Sequence, residues 1–192
     1  LLHPLLLPSY SLLILFNMQV YFSAAIPSKA KWMIAVLIFI TTCLLPMLFS
    51  ALMSRLGIIR SLQMNSREER IWPFVITAIF YYLGYYLLLQ LNLSPVFILF
   101  MLGAFISVVA GLIISFFWKI SVHMIGMGGL AGAFTSLSLK LMLDMPLLII
   151  ILILLSGLTG FARLKLGAHS PAQVLVGFIA GFGVFLLMFL AR

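Results

Sequence analysis

Two histidines, each with a cation nearby in the sequence, are the residues of this chain best suited to chemistry. His123 follows Lys119 and Ser121, and His169 stands six positions after Arg163. An imidazole can attack an electrophile or transfer a proton, while guanidinium and ammonium groups bind the oxygens of a phosphate group. A metal site would need more carboxylates or imidazoles and fewer competing cations. The pattern therefore favours a phosphate site that uses neither a metal nor another cofactor.

The other polar residues have two interpretations. The run Arg67, Glu68, Glu69 and Arg70 either adds cations to the phosphate site or forms pairs in which each charge neutralises its neighbour. His3 stands near the start of the printed sequence, and we expect it to be incidental. Lysines and arginines at the ends of apolar runs are typical of side chains that reach for the membrane interface.

The composition shows which elements must position these residues. Of the 192 residues, 65% are apolar and 7% are charged, and the mean hydropathy is +1.32. A soluble domain has about 45–50% apolar and about 25% charged residues, so a cytosolic enzyme and a disordered chain are both excluded. The net charge of +8 is scattered over short loops. It therefore favours anionic phospholipid headgroups, rather than a nucleic acid, as partners.

The hydropathy pattern predicts an all-α fold, a polytopic membrane bundle with six to seven transmembrane helices. Backbone groups in hydrocarbon must be satisfied internally, and no run has the alternating pattern of a barrel strand. We expect one integral membrane domain over residues 1–192. Two pairs of small residues, Gly128 with Gly132 and Gly177 with Gly181, predict close helix packing. The predicted spans are about 5–26, 32–54, 73–92, 95–118, 121–142, 146–162 and 171–191.

The polar clusters are expected to share one membrane face. An even number of predicted spans separates the segments 55–72, 118–122 and 163–170, so the chain returns to the same side at each of them. Ser121 is expected to be the N-cap of the fifth helix, whose first N–H groups and positive dipole end would suit a phosphate. Distant parts of the sequence can therefore converge on one site.

The charges do not decide which side of the membrane this face is on. Seven of the lysines and arginines lie on the predicted site face and four on the other, so the positive-inside rule makes the site face cytoplasmic. Five of the seven are proposed phosphate ligands or their neighbours. Without these five, the other face carries more lysines and arginines than the site face, and the rule gives the opposite orientation. The orientation stays open on charge alone.

Two of the clusters resemble signatures of the type 2 phosphatidic acid phosphatase superfamily. Arg163-x5-His169-x3-Gln173 resembles Ser-Arg-x5-His-x3-Asp, and the sequence Ser-Val-His at 121–123 resembles Pro-Ser-Gly-His. The sequence Arg-Glu-Glu-Arg-Ile-Trp-Pro at 67–73 approximates the first signature, Lys-x6-Arg-Pro. The main departure is Gln173, which replaces the aspartate that orients the second histidine. The resemblance extends from residue 67 to about 191.

The resemblance implies a fold with a phosphatase-like helical core and a mechanism with a phosphohistidine intermediate. His169 would attack the phosphorus, and His123 would protonate the leaving oxygen as a general acid. Gln173 would orient His169 through its amide oxygen. The phosphate-binding groups implied or suggested by position are Arg163, Ser121, the backbone N–H of Val122, Arg67, Arg70 and Lys119.

The function expected from this resemblance is that of an integral membrane lipid phosphatase. Its substrate would be a phosphate or pyrophosphate monoester of a lipid, such as phosphatidate, phosphatidylglycerophosphate or a polyprenyl pyrophosphate. The alternative is a non-catalytic relative that binds or transports lipid phosphates, and an ion channel or scaffold is a third class. The family's usual placement implies a site on the extracytoplasmic side of a bacterial inner membrane. The oligomeric state stays open.

Overall fold

The computed structural model of the chain describes residues 3–59 and 68–191, which form helices joined by turns and loops and contain no strand. A short 3-10 turn, Pro4–Leu6, precedes the first α-helix, and a π-helical segment, Ile40–Leu44, joins the third to the fourth. The α-helices of this part are α1 Leu7–Asn17, α2 Tyr21–Ala24, α3 Ser28–Phe39, α4 Leu45–Arg55, α5 Glu68–Leu89, α6 Pro95–Phe117, α7 Val122–Leu141, α8 Pro146–Lys165 and α9 Pro171–Leu190.

Six helical segments of the described residues are long and apolar enough to cross a membrane. This confirms the prediction of an all-α polytopic bundle and makes the chain an integral membrane protein. The segments are Ser28–Arg55, which runs through α3, the π-helical segment and α4, and then Arg70–Leu89, Pro95–Phe117, Val122–Leu141, Pro146–Lys165 and Pro171–Leu190.

The first apolar run does not form the single span that was predicted over residues 5–26. The helix α1 ends at Asn17, and a separate short helix, α2, follows. The carbonyl oxygen of Phe16, near the end of α1, accepts a hydrogen bond from Ser23 Oγ and another from Lys31 Nζ, both at 2.8 Å. The Phe16 carbonyl would otherwise accept a hydrogen bond from the next turn of the helix. Because these two side chains take that place, the helix can end here.

The chain divides into two compact units, which are described separately. The N-terminal unit is Leu5–Phe105. Within it, the π-helical segment precedes Pro46, whose ring would clash with a carbonyl in a regular helix, and a wider turn relieves that clash. Gly84 of α5 packs against this segment, where an added Cβ would lie 2.9 Å from Thr41 Oγ1.

The C-terminal unit, Ile106–Arg192 together with Leu1–Pro4, is built around α7 packed against α9 and α8. A Cβ on Gly128 would collide with the carbonyl oxygen of Phe178, and one on Gly181 with that of Ile125. Gly132 and Gly177 lie in the same contact, so the predicted close packing of the small-residue pairs is confirmed. The α7 helix is also the most buried of the six candidate spans.

The α8 helix is longer than its prediction of 146–162 and continues to Lys165. Arg163 and Lys165 therefore lie in its last turn rather than in the following loop. Basic side chains are favourable at this end of a helix because the carbonyl groups there carry partial negative charge. A turn at Gly167, with φ +62°, then leads the chain to His169 and into α9.

Candidate phosphate site at the ends of α7, α8 and α9

A backbone hydrogen bond joins the start of α7 to the start of α9. The N–H of Ser121 donates to the carbonyl oxygen of Gln173 at 3.4 Å, and the Ser121 carbonyl accepts from Met124 and Ile125 at 3.0 Å each. Gly177, one turn further along α9, allows this approach because a Cβ there would lie 2.9 Å from the Ser121 oxygen. Two of the predicted polar clusters therefore meet in one place.

The imidazole of His169 is held by the first turn of α9. Its Nδ1 lies 3.1 Å from Gln173 Oε1, and the same oxygen accepts a hydrogen bond from the N–H of Ser170, also at 3.1 Å. Ser170 Oγ in turn accepts from the N–H of Gln173 at 3.4 Å, which completes a capping box at the start of α9. Gln173 therefore contacts His169, and its orienting role stays a prediction.

The capping box decides the tautomer of His169. A backbone N–H can only donate, so the amide atom that faces Ser170 N–H must be the oxygen of Gln173. An amide oxygen can only accept, so His169 Nδ1 must carry the proton that lies between them. Nε2 then carries the lone pair, which is the state that a nucleophilic imidazole requires. Gln173 therefore selects the same tautomer as a carboxylate at its position would.

The predicted residues His123, Arg163 and His169 share one electrostatic environment. Arg163, His3 and His169 all lie close enough to the His123 ring to act on it electrostatically. His123 is the second residue of α7 and is half-buried, as are Arg163 and His169. The start of α7, the end of α8 and the start of α9 lie together in the C-terminal unit, and a shared catalytic role for the three side chains stays a prediction.

Two buried donors at this site have no hydrogen-bond partner among the described residues. Ser121 is fully buried, yet its hydroxyl is unpartnered, and the Nε of Arg163 is also buried and unpartnered. Ser121 occupies the N-cap position of α7 as predicted, but its hydroxyl makes no capping hydrogen bond. A buried donor without an acceptor costs about 1–3 kcal/mol. An oxygen of a bound anion is the kind of acceptor that either group lacks.

Further donors for an oxyanion come from the segment that precedes α7 and from its first turn. Val122 is the first residue of the helix, so its N–H is one of the groups that have no acceptor within the helix. Lys119 is half-buried two positions before Ser121. Both lie in the C-terminal unit with the histidines.

The two arginines predicted from the first cluster do not belong to the described part of the C-terminal unit. Arg67 lies outside the described residues. Arg70 belongs to the N-terminal unit, where it is buried in the first turn of α5, and Glu68 begins that helix. The segment predicted to be a polar loop up to residue 72 is thus helical from Glu68 onward.

One neighbour of His123 was missed from the sequence. The ring of His3 packs edge-on against His123, with 5.8 Å between ring centroids and 79° between ring planes. His3 was expected to be incidental, and no signal in the sequence could have linked it to a residue 120 positions away. Only the fold brings these two imidazoles together.

The donor set of the site suits an anion rather than a cation. Among the residues that the structure describes, no group of three or more His, Cys, Asp or Glu side chains is arranged to hold a metal ion. Arginine, backbone N–H and hydroxyl groups are instead the ligands that phosphate oxygens prefer.

Comparison with known proteins finds no family model, no curated protein and no solved structure that matches this chain.

Proposed function

We propose that this protein is an integral membrane phosphatase of lipid phosphates and a divergent member of the type 2 phosphatidic acid phosphatase superfamily. The observation that carries the proposal is that the start of α7 with His123, the end of α8 with Arg163 and the start of α9 beside His169 pack against one another. The unpartnered donors of Ser121 and Arg163 support it, because each is a group that donates well to a phosphate oxygen.

The reaction proceeds in two displacements. Nε2 of His169 attacks the phosphorus, the bond from phosphorus to the ester oxygen breaks, and that oxygen takes a proton from His123. Water then attacks the phosphohistidine and gives a proton to His123, the bond from phosphorus to Nε2 breaks, and phosphate leaves. Arg163, the Ser121 hydroxyl and the Val122 N–H stabilise the charge on the transferred group, which is the main requirement of phosphoryl transfer.

A lipid substrate fits the position of these groups in the chain. His123 and Arg163 lie in the terminal turns of apolar helices that are long enough to span a membrane, and His169 lies in the loop between two of them. A phosphate headgroup can reach such a site from the interface while its acyl or prenyl chain stays in the bilayer. Phosphatidate, phosphatidylglycerophosphate and polyprenyl pyrophosphate all have this form.

Phosphate release from these three lipids by the purified protein in nanodiscs tests the proposal. We expect hydrolysis of at least one lipid, and an acid-labile phosphoprotein when the reaction is stopped in alkali. His169→Ala should abolish both signals, whereas Arg163→Ala should lower the rate at least about a hundredfold, as loss of a charge-stabilising donor does. Lys165→Ala is the matched control, since it removes an exposed cation from the same turn of α8.

Three results would contradict the proposal. Hydrolysis that survives in His169→Ala would exclude the phosphohistidine. Binding of the lipid phosphates without any hydrolysis by the wild-type protein would instead support the non-catalytic alternative, in which the same cations hold a headgroup for transport or sensing. Binding that is insensitive to Arg163→Ala would exclude both, and would leave a channel or scaffold.

We further propose that the site opens on the extracytoplasmic side of a bacterial inner membrane, a placement that rests on the family resemblance. Single cysteines introduced in a Cys43→Ser background test it. Leu166→Cys lies next to the site, and Asp144→Cys lies in the loop at the start of α8, and both positions are exposed. An impermeant thiol reagent added to intact cells should label Leu166→Cys and spare Asp144→Cys, and the reverse pattern would refute the placement.

A further inference from the structure

We propose that His3 is a positioning residue for His123, a role that rests on the proposed phosphatase function. The two rings meet edge to face, with 5.8 Å between their centroids and 79° between their planes. Aromatic pairs favour this geometry, because the positive edge of one ring meets the negative face of the other. His3 lies in the same compact unit as α7, α8 and α9.

The contact with His3 restricts the rotation of the His123 side chain. Its backbone is fixed in the first turn of α7, where the Ser121 carbonyl accepts the first helical hydrogen bonds. Its side chain can still rotate about two bonds, and the second of these decides where the ring nitrogens point. A second ring packed edge-on against the imidazole blocks that rotation. The backbone of His3 is itself restricted, because the ring of Pro4 disfavours helical angles at the residue before it.

The charge state of His3 suits a packing role. Loss of water around the ring, and then nearby positive charges that include Arg163, lower the pKa of His3 below its usual value. His3 is therefore neutral at pH 7. A neutral imidazole can pack against His123 and add no repulsion next to Arg163, whereas a lysine or arginine at this position would.

The position of His123 matters most when the leaving group is poor. The alkoxide of a lipid phosphate ester is strongly basic and must receive a proton as its bond to phosphorus breaks. A nitrophenolate leaves without such help. A residue that only positions the general acid should therefore affect alkyl esters and leave nitrophenyl phosphate nearly unchanged, while a residue that holds the fold would affect both substrates equally.

The experiment compares wild type, His3→Ala and His3→Phe on phosphatidate and on p-nitrophenyl phosphate. General acid catalysis contributes about 10²–10⁴ to a rate, so partial misplacement should lower kcat on phosphatidate about tenfold in His3→Ala. The rate on p-nitrophenyl phosphate should stay within about twofold. His3→Phe keeps an aromatic edge and should restore kcat on phosphatidate, because the contact needs a ring and not a titrating nitrogen.

A spectroscopic readout makes the contact itself testable without activity. In protein with ¹³C-labelled histidine, the His123 ring resonance should move in His3→Ala and return most of the way in His3→Phe. Equal rate losses on both substrates, or no loss in His3→Ala, would overturn the role of His3 while the phosphatase function stands. A wild-type protein that hydrolyses neither substrate would overturn the proposed function, and with it this role, even if the resonance shift confirms the contact.

Discussion

The contact between His169 and Gln173 allows the sharpest quantitative prediction, since a single atom, Gln173 Oε1, both caps α9 and fixes the nucleophile. Gln173→Met keeps the length of the side chain and removes the acceptor. Gln173→Glu keeps the acceptor and adds a negative charge. The two substitutions should change the rate of phosphohistidine formation in opposite directions.

The magnitudes follow from the kind of hydrogen bond. The wild-type bond joins a neutral imidazole to a neutral amide at 3.1 Å, and such bonds are worth about 1 kcal/mol, so its loss in Gln173→Met should slow phosphorylation about fivefold. The His169 ring gains positive charge as Nε2 attacks phosphorus. A hydrogen bond to a charged group is worth about 1.5–3 kcal/mol, so Gln173→Glu should accelerate this step about fivefold to tenfold.

Rapid-quench measurement of the phosphoenzyme in a single turnover gives this rate directly. Ser170→Ala is the matched control, because it removes the other half of the capping box and leaves Gln173 Oε1 in place. It should destabilise the protein by about 1 kcal/mol, as loss of a cap does, with little change in the rate. A wild-type rate in Gln173→Met, or a ¹⁵N spectrum in which His169 carries its proton on Nε2, would refute the reasoning.

Three further predictions concern the C-terminal unit. Ser121→Ala should raise the melting temperature of the unliganded protein, because it removes an unpartnered buried hydroxyl, and should weaken binding of inorganic phosphate about fivefold, as calorimetry would show. Lys140→Met should lower the free energy of unfolding by about 1 kcal/mol in a denaturant titration, because Lys140 Nζ donates to the Phe189 carbonyl at 2.7 Å near the end of α9. Gly132→Ala should cost about 1–3 kcal/mol by the same measurement, since its Cβ would lie 2.6 Å from a backbone oxygen of α9, whereas Gly183→Ala adds a methyl in open space and should be neutral.

The sequence by itself determined the fold class, because few charges and long apolar runs leave a helical membrane bundle as the only way to satisfy the backbone. It also indicated the packing of α7, since Gly128 and Gly132 have little other reason to stand four residues apart in an apolar helix. The sequence did not predict a helix end that depends on side chains from a later segment of the chain. The break after Asn17 depends on Ser23 and Lys31, which reach back to a carbonyl of α1.

Only the tertiary structure decided which polar residues meet. The spacing of Arg163, His169 and Gln173 indicated a local cluster, but it did not reveal that the capping box of α9 fixes the amide oxygen and hence the tautomer of His169. It also gave no reason to place His3 against His123. Hydropathy and local spacing are properties of neighbouring residues, whereas these contacts join segments separated by whole helices, and the packing of α7 against α8 and α9 brings those segments together.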